Sequence, residues 1–458
     1  MSGEAGLKPF EPEVEAESPN RNLAPITTAL DSEQRLVVGG CLLSALARTY
    51  GTPLYVLDEA TVRATCRGYR EALAAAYPGP SLALYASKAN SSLAITALVA
   101  SEGLGLDAVS EGELLTALRG GMPAERIVLH GNNKSRREIE LALREGVTVV
   151  VDNWLDLEHL AAIAPSRATP ARLLVRFTPG IECHTHDYIR TGHLDSKFGF
   201  DPDQLETVLR HLSRCPWAWV DGLHAHIGSQ IFELQPHHDL AGVMADALAL
   251  ARSLGHPCRD LNVGGGLGIR YVRSDDPPSI QRWVEEVAEA VTKACAERGL
   301  ELPRLLCEPG RSLIGTAGLT LYTIGSRKEI PEGRTYLSVD GGMSDNPRPI
   351  TYQSAYTAVL ADSPLARPDV PQETVTLAGK HCESGDVLLP ELTLPHSRVG
   401  DVLVVLATGA YNASMGSNYN RIPRPATVLV HDGRAELVQR REEPEDLLRY
   451  DLLPAGLL

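Results

Sequence analysis

Between residues 81 and 307, short apolar runs alternate with amphipathic stretches. The runs are Leu82–Ser87, Leu104–Val109, Arg126–His130, Thr148–Asp152, Arg172–Thr178, Trp219–Ile227, Arg259–Val263 and Arg304–Cys307. Their length and continuous apolar character predict parallel strands covered on both faces. The stretches between them carry helix signals. Ser110 with Glu113, and Ser135 with Glu138, have the spacing of capping boxes. Asp201 is a cap residue before a first-turn proline, Pro202, with Gln204 at the third helical position. Leu205, Val208, Leu209 and Leu212 fall on one helical face, as do Leu240, Val243, Met244, Ala247 and Leu248. Eight such units predict a (β/α)8 barrel, with a doubly wound open sheet as the rival arrangement.

After residue 316 the pattern changes. Leu319–Ile324, Thr335–Val339, Glu373–Ala378, Val402–Ala407 and Ala426–Val430 read as strands with little helix between them. Asp432-Gly433 reads as a hairpin turn. This predicts a second, all-β domain of the sandwich or barrel kind. Residues 34–57, with Leu36–Val38 and Leu54–Leu57, also look strand-like and are expected to join it, making that domain discontinuous. The expected division is an unstructured acidic tail (1–21), an N-terminal segment of the β domain (22–57), the barrel (58–316) and the rest of the β domain (317–458).

Composition narrows the function classes. The chain has 458 residues, 43% hydrophobic and 22% charged, the balance of a globular protein with ample core. Its net charge of −15 argues against a partner such as bare nucleic acid or an anionic membrane, both of which need a cationic face. No window approaches the roughly 18 apolar residues of a membrane span. The first twenty residues hold five Glu, three Pro and one Lys, unlike a secretory leader. Eight Cys without a C-x-x-C pair suggest neither a disulfide framework nor a zinc ribbon. A cytoplasmic location with free thiols is expected.

In a β/α barrel, chemistry collects at the carboxyl ends of the strands. The first strand runs into Lys88. A Lys in a dry pocket has a lowered pKa and can form a Schiff base, although it can also snorkel to the rim or pair with a carboxylate. The sixth ends at His224 and His226, which alternation puts on one side of the strand. They could bind metal, or one could stack on a ring while the other packs. Neither they nor Cys183, His184 and His186 have a further ligand that would complete a metal set. The seventh strand runs into Gly264, Gly265 and Gly266, whose amides could crowd round a phosphate or simply form a tight turn. The eighth runs into Glu308-Pro309-Gly310-Arg311. Glu308 could hold a protonated ring nitrogen and Arg311 an anion, or the two could pair with each other. Together these place an amine, a ring-stacking group, a phosphate cradle and an acid at one end of one barrel, the set that pyridoxal phosphate needs. The β domain adds Asp340–Pro349, Tyr352, Cys382 among polar neighbours, and Tyr411. Cys382 and Tyr411 could instead be ordinary core residues.

The strings YASKAN (85–90), HGNNKS (130–135), HIGSQIF (226–232), GGGLGI (264–269), EPGR (308–311), DGGMSDN (340–346), GKHCESGD (379–386) and TGAY (408–411) occur in this order. With them the chain, from about residue 34 to 448, resembles the bacterial diaminopimelate decarboxylases, which belong to the alanine-racemase-like, barrel-type pyridoxal-phosphate enzymes. The resemblance implies a barrel plus a β domain, and decarboxylation of meso-2,6-diaminopimelate to L-lysine and CO2, the last step of lysine biosynthesis. It implies Lys88 as the Schiff-base lysine and His226 stacked on the cofactor ring. Ser229, Gly265, Gly266, Glu308, Pro309, Gly310 and Arg311 would hold the cofactor, with Glu308 on the pyridine nitrogen. Arg311, Arg348 and Tyr352 would grip substrate carboxylate, Glu383 the distal ammonium, and Tyr411 both cofactor and substrate. Cys382 would deliver the proton from the partner subunit of a homodimer. Rival readings are a decarboxylase for another basic amino acid, a racemase of the same fold, a regulatory binding protein without activity, and a cofactor-free Lys aldolase.

Overall fold

The computed structural model describes residues 7–11, 14–181, 196–365 and 370–457; Cys183, His184 and His186 lie outside them. The chain clusters into two compact units. One holds Val62–Arg270 and Asp275–Ile314. The other holds the described residues of Met1–Thr61, Tyr271–Ser274 and Gly315–Leu458.

In the first unit eight parallel strands close into a barrel in chain order, so the open-sheet alternative falls away. They are Ser81–Ala86, Gly105–Ala108, Ile127–Leu129, Thr148–Val151, Ala171–Arg176, Ala218–His224, Asp260–Asn262 and Arg304–Cys307. Residues two apart share a face of a strand. Leu84, Val128, Val150, Leu174 and Leu306 therefore form one buried apolar cluster. Two positions beyond four of these stand His130, Asp152, Arg176 and Glu308, and His224 pairs with Arg176 in the ladder; all five are buried. An apolar plug thus underlies a polar layer at the carboxyl end. Gly222 is required inside this packing, because a Cβ there would lie 2.0 Å from the Asp260 carbonyl oxygen.

The helix signals hold with two differences. Ser135 and Glu138 form a full capping box. Ser110 caps its helix through the Glu113 amide, but the Glu113 carboxylate accepts from the Val109 amide at 2.8 Å, one residue early. Asp201 occupies the cap position without a side-chain hydrogen bond. The sixth strand stops at His224, short of the expected Ile227, and the two histidines part company there.

The second unit is built on a nine-stranded sheet. Leu54–Asp58 lies inside it, antiparallel to Gly318–Leu321 and parallel to Ala426–Val430. The N-terminal segment is thus a central element of this sheet. Leu36–Val38 goes instead to a small four-stranded sheet, and Leu43–Tyr50, expected as strand-like, is a helix. Leu36, Val38, Leu43 and Leu46 pack with Leu54, Val56, Leu319, Leu321 and Val428 in one core, which explains why that stretch is so apolar. The hairpin at Asp432-Gly433 has both residues at positive φ (47° and 76°), as a tight two-residue turn demands. The strand Val387–Pro395 escaped the pattern, because Pro390 and Glu391 interrupt its apolar run. The unstructured tail expected to residue 21 is corrected for residues 7–11 and 14–21: Lys8–Pro9 pairs with Ala29–Leu30. Pro19–Arg21 is a 3-10 turn, Ser18 and Asn20 are buried, and Thr316 donates to the Pro19 carbonyl. No helix among the described residues is long and apolar enough to cross a membrane.

Ser135→Ala removes one half of the capping box and is expected to lower stability by about 1 kcal/mol. A urea midpoint equal to that of the parent chain would show that the cap contributes nothing.

Candidate active site

Lys88 follows the first strand on a 3-10 turn, Ser87–Ala89. The turn is closed by the Tyr85 hydroxyl, which donates to the Asn90 carbonyl at 2.9 Å. Its flanks are packed against the Glu308–Arg311 segment. The Ala86 amide donates to the Pro309 carbonyl at 3.0 Å, and a Cβ on Gly310 would meet the Ala86 Cβ at 3.0 Å. The Lys88 side chain is exposed, so the dry pocket expected around it is not found. The strand ends at Ala86, and the turn carries the amine out of the buried ladder. Its charge nonetheless acts on His226 and Asp107.

Glu308 is 8% exposed and lies among three partners. Asn262 Nδ2 donates to Oε1 at 2.7 Å, His130 Nε2 lies 2.8 Å from Oε1, and His224 Nε2 lies 3.1 Å from Oε2. Burial works against the carboxylate, but His130 and His224 outweigh it and hold Glu308 well below its ordinary pKa. Burial likewise opposes the charge on His130, and the Asp107 and Glu308 carboxylates outweigh it, raising its pKa. Burial pushes His224 down to about 4, so it is neutral at pH 7. The result is a carboxylate at the barrel mouth compensated by His130, His224 and Asn262. The potential ligand atoms of His130, His224 and Glu308 lie within 4.8 Å of one another, a spacing that would also suit a metal ion. Asn262 Nδ2, a donor, already occupies Glu308 Oε1 there.

His226 is set apart from His224. Its Nδ1 accepts from the Gly265 amide at 3.2 Å. Burial, then the positive charges of Lys88 and Arg176, hold it well below the usual histidine pKa, so it is a neutral ring. The glycine segment behind it allows no side chain. A Cβ on Gly265 would lie 2.2 Å from the Glu308 carbonyl oxygen, and Gly266 has φ +127°. The Ile231 amide donates to the Gly266 carbonyl at 2.9 Å, lacing this segment to the one that carries Ser229. Arg311, also buried, donates to the Ser229 hydroxyl from Nε (3.2 Å) and Nη2 (3.0 Å). Glu308 and Arg311 thus have separate partners, where mutual pairing was an open alternative. An exposed amine, a neutral ring, a glycine cradle with Ser229 and Arg311, and an ionised carboxylate match the groups of pyridoxal phosphate: aldehyde, ring face, phosphate and ring nitrogen.

The sheet unit carries its own polar set. Arg348 and Tyr352 lie one turn apart on the helix Arg348–Tyr352. The buried Arg348 guanidinium lies over the rings of Tyr352 (5.4 Å), Tyr271 (5.5 Å) and Tyr411 (5.7 Å), and donates to Tyr356 Oη at 2.9 Å and Ser354 Oγ at 3.1 Å. Tyr411 holds φ +64°, uncommon for a residue with a side chain and so a marked position. Cys382 and Glu383 are exposed, so Cys382 is no core residue. Their loop is pinned by Asp386, which accepts from the His381 and Met343 amides and lies 2.7 Å from His381 Nδ1.

His130, Asp107, Arg176, Asn262, Tyr271 and Tyr356 were not singled out from the sequence. A usable signal existed for His130, Arg176 and Asn262, since each closes or follows its strand with a polar residue; Asp107 lies inside its strand. Tyr271 carries none: it follows the glycine loop yet clusters with the other unit. Glu308→Gln removes the nearest charge from His130, so the pKa of that ring should fall. Histidine NMR signals followed against pH in this variant test it; an unaltered His130 titration would break the proposed coupling.

Residues 59–315 match the family model described as pyridoxal-dependent decarboxylase, pyridoxal binding domain. The chain is 53% identical to the diaminopimelate decarboxylase of Synechocystis sp. over 449 residues, 96% of this chain and 95% of that one. It is 45% identical to that of Bacillus subtilis over 437 residues, 93% of this chain and 97% of that one. Among solved structures it is similar to the diaminopimelate decarboxylase of M. jannaschii in complex with L-lysine, with TM-score 0.87, 32% identity and coverage of 94% and 99%. That of Helicobacter pylori, also complexed with L-lysine, gives TM-score 0.81, 30% identity and coverage of 89% and 98%. On this extent of likeness, and with the Lys88 and Glu308 ends of the barrel inside the matched region, the chain belongs to the diaminopimelate decarboxylases of the pyridoxal-dependent decarboxylase family.

Proposed function

We propose that this chain binds pyridoxal phosphate through Lys88 and decarboxylates meso-2,6-diaminopimelate to L-lysine and CO2, closing lysine biosynthesis by the diaminopimelate route. The observation that carries the reading is the buried Glu308 carboxylate, held by His130, His224 and Asn262 at the barrel end where Lys88 and the glycine cradle also lie. Bound there, the cofactor supplies a sink for the electron pair left when CO2 departs. The protein's residues do the rest.

Glu308 accepts the ring N–H and keeps that nitrogen protonated. His226, neutral, packs on the ring without repelling its positive charge. Gly265, Gly266, Ser229, Gly310 and Arg311 hold the phosphate. The substrate has an amino-acid group at each end, so selecting one end needs a clamp of both signs at the other. Arg348, with Tyr352 and Tyr411, takes the distal carboxylate together with Arg311, and Glu383 takes the distal ammonium. Arg348 suits this role because its guanidinium is already oriented by Tyr356 and Ser354. Arg311 is the less direct of the two, since Ser229 already engages it.

The Cys382 thiol gives its proton to the carbon that lost CO2. We infer that it does so in the site of a partner subunit, within a homodimer. Its exposure on a loop fixed by Asp386 supports this: a rigid loop presents a reactive group outward at little entropic cost. A distal clamp has less use in an enzyme for ornithine, arginine or lysine, whose far ends lack a carboxylate.

Protein loaded with pyridoxal phosphate should release L-lysine and CO2 from meso-diaminopimelate, and little product from lysine, ornithine or arginine. Lys88→Ala should lose both turnover and the near-visible absorbance of the loaded protein; full turnover in that variant would defeat the assignment. Cys382→Ala should keep the absorbance and lose about 10²–10⁴-fold in rate, the usual contribution of a positioned proton donor. Mixing the two variants should restore some activity; mixed dimers that form without recovery would exclude sharing of the site.

A further inference from the structure

The strands that lead to His224, Asn262 and Glu308 begin at a second polar mouth. At the amino end of the barrel lies a cavity of about 1150 Å3. Four arginines (Arg172, Arg252, Arg259, Arg304) face Asp221, Asp260 and Glu301 there, a local excess of one positive charge on a chain of net charge −15. Nothing in the decarboxylation uses them.

Most of these groups hold one another. Arg172 Nε donates to Asp221 Oδ2 at 2.8 Å, and Arg304 grips Asp260 with two bonds, 2.9 and 2.6 Å. Arg252 is bound to the carbonyls of Glu301 and Cys258. Two features stand apart. Trp219 is 39% exposed, yet its indole N–H donates to Asp221 Oδ1 at 2.9 Å. Asp221 is itself buried, so the ring is held as a fixed platform facing solvent. Arg259 lies over that ring, 5.6 Å from its centre, and no carboxylate is within ion-pair distance of it among the described residues.

An aromatic platform with its orientation already fixed, and beside it a guanidinium whose charge is not neutralised by an acid, together form a recognition surface for a flat ring that bears an anion. The ion pairs around them keep the other arginines from collapsing onto the site. We propose that this mouth binds a small planar anion, an aromatic or heteroaromatic ring carrying a carboxylate or phosphate. The ring packs on the Trp219–Arg259 stack, and the anionic group pairs with Arg259. The cavity has room for a ligand as large as a mononucleotide. The site is separate from the cofactor end, since its residues stand at the opposite ends of the same strands.

Calorimetric titration of the pyridoxal-phosphate-loaded enzyme tests this, because the cofactor's own anion site is then filled. The probes are AMP and 2-naphthoate, with adenosine and inorganic phosphate as the ring-only and anion-only controls. At least one of the first pair should bind with Kd of about 1 mM or tighter, and both controls at least tenfold more weakly. AMP alone binding would identify a nucleotide ligand; naphthoate alone, an aromatic acid. Arg259→Ala and Trp219→Ala should each weaken that binding tenfold or more while decarboxylase activity, which also reports correct folding, stays at the parent level. Absence of binding by both probes, or binding that an active Arg259→Ala enzyme retains in full, would overturn the proposal.

Discussion

A buried carboxylate must stay charged for the rest of the barrel mouth to make sense. Glu308 stands in a place that burial alone would neutralise, and an unpaired charge there would be strongly destabilising. Its compensation comes from three other strands: His130, His224 and Asn262 each reach it from a strand end. No single segment could supply them. The closed barrel is what brings the ends of the third, sixth, seventh and eighth strands to one point. The charge that would hold a protonated ring nitrogen therefore depends on the closure of the whole sheet.

The same closure dictates the glycines. Gly265 touches the Glu308 carbonyl so closely that any side chain would displace the segment carrying the carboxylate. Gly310 plays the matching part on the other side, where that segment lies against the turn that carries Lys88. The cradle and the acid are thus set by one packing problem. The histidines divide the electrostatic work. The acidic neighbours of His130 raise its basicity, whereas burial keeps His224 and His226 neutral. A positive ring at His226 would repel a protonated pyridine, so its depressed basicity agrees with a stacking role.

The sheet unit follows another logic. Its polar groups are ordered by aromatic rings and by one buried aspartate. Arg348 lies against three tyrosines, and Asp386 holds a loop on which Cys382 and Glu383 are exposed. The amino-end mouth of the barrel is ordered in a comparable way, with Asp221 steadying an exposed indole.

Much of this was legible along the chain. Apolar runs alternating with capped helices specified eight β/α units, because a parallel strand buried on both faces leaves a continuous signature. Motif strings singled out Lys88, His226, Ser229, Glu308, Cys382 and Tyr411 as candidates, because residue types of distinctive chemistry stand close together in them. Other features were invisible for a physical reason. The ring of partners around Glu308 comes from strands up to 178 residues away, from His130 to Glu308, and neither local periodicity nor spacing encodes that meeting. The parting of His224 from His226 depends on where the sixth strand stops, which is decided by its neighbours in the ladder. Exposure of Lys88 and Cys382, and the partnership of Tyr271 with Arg348, likewise follow from packing. Local sequence determined which elements form and which chemical groups they carry; tertiary structure decided which of those groups meet and what charge each one holds, because burial and electrostatic compensation are properties of the assembled environment.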